Sequence, residues 1–303
     1  MVKNIDAVYE ELLRLRSEGV DRIYINTDTT ELLSNLSNSK PSNEAINNAE
    51  SKSSKLLKSD TDSSTTKSKK ELADTDNEVI TTSFPKPTSI NLPKGDKNSQ
   101  MNWLHKKIES CSTCNAQVGN NEKIVFGSGN IDADIFFCCD APNEEEASAG
   151  VPFNGSSGDL MLKVVNAMGI NKDSIYTTHI VKWRSKDHKT SVSRTPNSEE
   201  IEFCASYLQA QIAIVMPKVI VALGKITAAG LTNRLPANIV MKELRGKWEC
   251  VENIPTIFTY HPTYLLHNNT LRVKREMWED MLAVMQKLNL PISDKQRDYF
   301  LSK

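Results

Sequence analysis

From about residue 102 onward, apolar runs alternate with polar, turn-forming stretches, and their lengths switch between those of strands and helices. WLHKKIESCSTC (103–114) reads as a helix running into Cys111 and Cys114. IVFGSGN (124–130) follows, and then ADIFFCC (133–139), a continuous apolar run of the length of a central strand. Leu160, Met161, Val164, Val165 and Met168 fall at helical spacing and stop at Gly169, a residue suited to ending a helix. IYTTHIVK (175–182) is rich in β-branched residues and predicts a second strand. Asn197 followed three residues later by Glu200 resembles a capping box, and opens a helix carrying Ile201, Cys204, Leu208 and Ile212. PKVIVALG (217–224) predicts a third strand that turns at Gly224 into the helix KITAAGLT. LRGKWECVENIPTIFTYHP (244–262) reads as a hairpin whose second arm is the fourth strand. The last helix, near 272–288, sets Trp278, Leu282 and Met285 on one face. Strands alternating with helices predict an α/β fold: three layers, α/β/α, around a mostly parallel sheet of about four strands.

Upstream the pattern changes. Residues 5–24 place Val8, Leu12, Leu13 and Val20 on one side of a short amphipathic helix. Residues 26–100 turn to Ser, Asn, Lys, Thr and Asp, with too little apolar surface to offset the entropy of ordering them. The expected organisation is a helical segment at 1–25, a disordered linker at 26–100, a folded domain at 101–290 and a tail at 291–303. Lys plus Arg number 37 against 38 Asp plus Glu, a net charge of -1, so any nucleic-acid surface must be local. Six cysteines in 303 residues are too few for a disulfide scaffold. No apolar run approaches about 18 residues, and the first residues lack the apolar stretch of a signal peptide. The expectation is a soluble, cytoplasmic monomer with reduced cysteines and no membrane partner.

Candidate chemistry concentrates in 134–158, DIFFCCDAPNEEEASAGVPFNGSSG. A buried strand runs into a polar loop with Asp140, Pro142 and Phe153, and then into glycines that open a helix. Ligands of open α/β sheets bind beyond the carboxyl ends of the strands. Asp140 follows the first predicted strand, His179 lies toward the end of the second, Gly224 ends the third and His261 ends the fourth. Four such points at one edge predict one site.

These residues carry a resemblance. From about 104 to 288 the chain resembles the uracil-DNA glycosylase superfamily, and within it the iron–sulfur branch, family four. The likeness rests on Cys111-x-x-Cys114, Asp140-Ala141-Pro142, PFNGSSG, Val181-Lys182, Glu200-Ile201-x-x-Cys204, PKVIVALG, LRG at 244–246 and HPTYLL at 261–266. It implies cleavage of the N-glycosidic bond of uracil in DNA, leaving an abasic site. Phe153 would stack on the flipped base. His261 would donate to a uracil carbonyl as charge develops there. Leu265 or Leu266 would wedge into the duplex. Asp140 stands where the branch has Glu, as a carboxylate able to orient water or offset oxocarbenium charge. Asn143 replaces a glycine of that pattern. His179 stands where the family has an Asn that reads the base, and its ring offers a donor and an acceptor on opposite edges.

The resemblance also implies a [4Fe–4S] cluster on Cys111, Cys114, the residue after Val-Lys, and Cys204. That third place holds Trp183, with His188 nearby as a substitute ligand and zinc on the three cysteines plus a His as an alternative. Lys182, Arg184, Lys186, Lys189 and Arg194 in one loop, and Arg272, Lys274 and Arg275 in another, are candidates for phosphate contact. DNA is the expected partner, which would bring the protein to the nucleoid. The altered positions leave two other readings: a weakened or inactive DNA-binding repair accessory on the same fold, and a covalent trap with His188 as nucleophile. A nucleotide-binding α/β protein would need a Gly-rich phosphate loop after a strand, and none is found.

Overall fold

Every side chain of Ile135–Cys139, Ile175–His179 and Val219–Leu223 is buried, as the unbroken apolar runs predict for strands covered on both faces. The computed structural model describes residues 84–85, 89–187 and 190–301. The predicted helix at 5–24 and the linker as far as residue 83 lie outside the described residues, as does His188. Six strands make one sheet: β1 (Ser128–Gly129), β2 (Ile135–Cys139), β3 (Ile175–His179), β4 (Val219–Leu223), β5 (Trp248–Val251) and β6 (Ile254–Thr259). Their order is β1-β3-β2-β4-β6-β5. The central four are parallel, with Cys139 beside His179 and Val221 beside Ile257. The edge strands β1 and β5 pair antiparallel to them. The four predicted strands are this parallel centre, and the first arm of the predicted hairpin supplies one of the two edges.

Helices flank the sheet: α1 (Lys97–Glu109), α2 (Ser112–Gln117), α3 (Glu144–Ala149), α4 (Ser156–Ala167), α5 (Ser198–Val215), α6 (Lys225–Thr232), α7 (Met241–Leu244), α8 (Pro262–His267), α9 (Leu271–Lys287) and α10 (Asp294–Arg297). Side chains alternate along each strand, so one run feeds two cores. Phe136, Cys138, Tyr176 and Ile220 join Leu104 and Ile108 of α1 and Leu208 and Ile212 of α5. Ile135, Phe137, Val221 and Ile257 join Met161 and Val165 of α4 and Met277, Met281 and Met285 of α9. Each fully buried large apolar side chain contributes roughly 1.5–3 kcal/mol, which makes these two layers the main source of stability. The Asn197–Glu200 capping box forms as predicted, closing both orphan groups at the start of α5.

In the strand order, β2 sits between β3 and β4, so the chain leaves β2 toward one side of the sheet and returns on the other. Such a switch point opens a crevice at the carboxyl ends. Asp140, Gly224 and His261 lie just beyond β2, β4 and β6, while His179 is the last residue of β3.

Candidate active site

Asp140 continues the ladder beyond β2, since its carbonyl accepts from the Val181 amide at 2.9 Å. Its Oδ1 lies 3.2 Å from His261 Nε2. His261 is the N-cap of α8. Its Nδ1 accepts the Thr263 amide and lies 2.7 Å from Thr263 Oγ1, which directs Nε2 at the carboxylate. A Cβ at Gly224 would stand 3.0 Å from that of His261, and Gly224 has φ +98°, so the β4 turn needs glycine to let the imidazole approach. Burial alone would lower the His261 pKa. The Asp140 charge and hydrogen bond, together with the Glu146 charge, outweigh it and raise the value above the ordinary 6.5. Burial opposes ionisation of Asp140 as well, but the His261 charge and hydrogen bond, the Ala141 amide and the His179 charge bring its pKa below the usual range. The two groups share a charge-assisted hydrogen bond, Nε2–H to Oδ1, partly open to solvent.

Glu146 of α3 is the organising residue of the second half of the site, and sequence reasoning missed it. Its side chain is 4% exposed. Oε1 accepts the Phe153 amide at 2.7 Å, Oε2 accepts the Asn143 amide at 2.9 Å, and Oε2 also lies 3.3 Å from His179 Nε2. Despite desolvation, the contact with His179 and the two backbone amides hold its pKa below the ordinary range. The signal was present: Asn143 followed three residues later by Glu146 is the same capping-box spacing as Asn197 and Glu200. Asn143 therefore caps α3, its Oδ1 accepting the Glu146 amide at 2.8 Å, and its Nδ2 approaches Ser157 Oγ at 3.4 Å.

Phe153 adopts φ 59°, a left-handed conformation that is strained for a bulky residue. Its ring leans on Phe137 at a centroid distance of 6.1 Å. The bend is held from above by Glu146 and from below by Gly158, where a Cβ would come within 2.1 Å of the Phe153 carbonyl. His179 is 1% exposed, and its Nδ1 is the buried side-chain polar atom without a hydrogen-bond partner among the described residues. Lys182, fully buried, fixes the main chain behind it. Its three ammonium protons go to Thr178 Oγ1 at 2.7 Å, the His179 carbonyl at 2.6 Å and Gln211 Oε1 at 2.7 Å, and desolvation pulls its pKa down to about 8.

The expected iron–sulfur cluster on Cys111, Cys114 and Cys204 is overturned. Among the described residues no group of three or more His, Cys, Asp and Glu side chains is arranged to hold a metal ion. The zinc alternative fails on the same ground. Cys111, Cys114 and Cys204 do meet at one corner, where Cys114 feels the charges of the other two. The fourth place is filled by Trp183, 1% exposed, which stacks on Phe84 at 5.9 Å and tilts against Phe203. Its Nε1 donates to Glu200 Oε1 at 3.1 Å, and Arg194 reaches Glu200 Oε2 at 2.6 Å. An aromatic stack and a buried ion pair hold the corner together.

The first basic loop is also spent internally. Lys182 is buried as described, Arg184 and Lys186 both bind Glu122 at 2.7 Å, and Arg194 binds Glu200. Lys189 lies outside the described residues. In the second group, Arg272 and Arg275 pair with Glu276 and Glu279 one turn on. Most of these basic side chains thus have a carboxylate partner within the fold. Leu265 is 6% exposed and belongs to the α4–α9 core, while its neighbour Leu266 is 42% exposed. Of the two leucines expected as wedge candidates, Leu266 is the one that reaches solvent. LRG serves structure: Arg245 binds Asp280 at 2.8 Å, and Thr259 donates to the same carboxylate at 2.6 Å.

A doubly wound sheet with a carboxylate after one strand and a histidine after another defines a class before it defines a member. The chain belongs to the uracil DNA glycosylase superfamily, which it matches over residues 126–282, just over half its length. Within that superfamily it is similar to the type-4 uracil-DNA glycosylases. It is 32% identical over 182 residues to that of Thermotoga maritima, covering 60% of this chain and 91% of the relative. To the enzyme of Sulfurisphaera tokodaii it is 33% identical over 207 residues, with coverages of 65% and 89%. To that of Pyrobaculum aerophilum it is 31% identical over 176 residues, with coverages of 56% and 86%.

Proposed function

We propose that the protein is a monofunctional uracil-DNA glycosylase of base excision repair. The observation that carries this reading is the Asp140–His261 pair, 3.2 Å apart at the switch point of the sheet, beside a Phe153 held in a strained bend. A deoxyuridine flipped out of the stack would lie against the Phe153 ring. As the C1′–N1 bond breaks, electrons pass into the base, and His261 Nε2–H turns from Asp140 to the carbonyl on which that charge collects. The Asp140 carboxylate faces the sugar, offsets the oxocarbenium charge and orients the water that adds to C1′. The water proton leaves through that carboxylate, and the products are an abasic site and uracil. Leu266 would fill the gap in the duplex.

On this reading DNA is the partner and the protein acts in the cytoplasm at the nucleoid. Among the described residues no helix is long and apolar enough to cross a membrane. The test is incubation with a uracil-containing single-stranded oligonucleotide, followed by alkali. Strand scission at the uracil is expected, and an uncut oligonucleotide at every salt concentration overturns the reading in favour of a non-catalytic accessory.

A further inference from the structure

We propose that Glu146 fixes the tautomer of His179, so that the pocket selects a base through its imino N–H rather than through the paired donor and acceptor of an amide. The inference rests on the base-pocket reading above and adds to it a positioning residue and a substrate class. Glu146 is buried, and two backbone amides already point at its carboxylate, one on each oxygen. An ionised carboxylate only accepts, so the imidazole nitrogen 3.3 Å away must carry a proton. That nitrogen is Nε2. In the neutral ring Nδ1 then keeps a bare lone pair.

Nδ1 is also the buried atom left without a partner among the described residues. Buried polar atoms are nearly always satisfied, and an exception marks a place for a ligand. The surroundings agree. His179 ends β3 in register with Cys139, whose successor is Asp140, and the carboxylate that holds its ring also holds Phe153. The unpaired acceptor thus belongs to the same loop cluster as the stacking ring and the Asp140–His261 pair.

An acceptor at this place pairs with N3–H of uracil and equally with N1–H of hypoxanthine. Cytosine presents a lone pair at N3 and would be repelled. Without the second contact of an amide, nothing at this atom separates one imino-bearing deaminated base from another. The substrate class becomes bases with an imino N–H beside a carbonyl.

Histidine-labelled 15N NMR of the full chain reads the tautomer directly and needs neither activity nor a variant. The expected spectrum shows His179 protonated on Nε2 and bare on Nδ1. Titration with free uracil or hypoxanthine should move the Nδ1 resonance, while cytosine and 3-methyluracil should bind at least about tenfold more weakly. Glu146→Ala removes the acceptor that holds the proton on Nε2, and should give a mixture of the two tautomers and a weaker preference for uracil over 3-methyluracil. A proton on Nδ1 in the unsubstituted chain, or 3-methyluracil binding as well as uracil, overturns the proposal. A chain that cleaves uracil-containing DNA with its proton on Nδ1 sinks this inference alone. One that shows the expected tautomer and base binding but leaves DNA uncut sinks only the glycosylase reading.

Discussion

Asp140 and His261 shift each other's proton affinity in opposite directions. The acid is lowered and the base raised by the same contact, so Asp140→Asn should do two separable things. Cleavage of a uracil oligonucleotide should fall about a hundredfold or more, the scale of losing a preorganised electrostatic partner. The His261 pKa, followed by NMR titration, should drop once its largest raising influence is gone. The pair also links stability to pH. His261 keeps its proton in the folded chain above the ordinary 6.5, so its contribution is full below that value and is lost as pH rises through the raised folded value. Asp140 contributes above the ordinary 3.8, and that part is lost as pH falls through its lowered folded value. Thermal melts across pH should show the wild type losing its advantage over Asp140→Asn at both ends. Leu266, exposed at the end of α8, carries a third prediction. Leu266→Ala should reduce cleavage of uracil in duplex DNA more than in single strands, because only the duplex must be unstacked.

At the scale of elements, the site depends on how α3 and α4 begin. Glu146 in the first turn of α3 and Gly158 in the first turn of α4 clamp the Phe153 bend from two sides. Gly158→Ala would drive a methyl group into the Phe153 backbone, and a cost of about 2 kcal/mol or more follows from overpacking against main chain. A lowered Tm together with a larger loss in cleavage is the expected result, since the stacking residue moves first. At the cysteine corner, elements are joined by aromatic packing and a buried carboxylate. Trp183 links the strand end of β3 to α5 through Glu200, and Arg194 completes the pair. Trp183→Ala should cost about 3–5 kcal/mol, combining a cavity with a buried carboxylate that loses a donor. Denaturant melts would measure it.

For the whole molecule, the packing of that corner predicts that the fold holds without a metal there. A strong chelator should leave both the Tm and uracil cleavage unchanged, and metal analysis of the purified chain should find no stoichiometric iron or zinc. A chelator-induced fall in Tm would show that the Trp183 stack does not replace ligands. The sheet order decides the rest, because β2 and β4 part at the switch point and so bring Asp140, Gly224 and His261 to one crevice.

The sequence by itself determined the layers and the edge on which the site lies. Continuous apolar runs mean strands covered twice, helical spacing means flanking helices, and turn residues after each strand mark the carboxyl edge. Asp140, Phe153, His179 and His261 were legible because each sits at a strand end or in a short motif. Glu146 was not, since nothing local says that a glutamate in the run 144–146 turns inward to three partners 3, 7 and 33 residues away in the chain. Lys182, Arg184, Lys186 and Arg194 read as a basic surface for the same reason: charge is written in the sequence, but its counter-charge at Glu122 or Glu200 arrives only on folding. Three cysteines at cluster spacing promised a metal although Trp183 stood at the remaining place, and only the fold showed that Phe84 and Phe203 pack around it. Local pattern sets what each residue is able to do, and long-range contacts decide which of those abilities remains unspent.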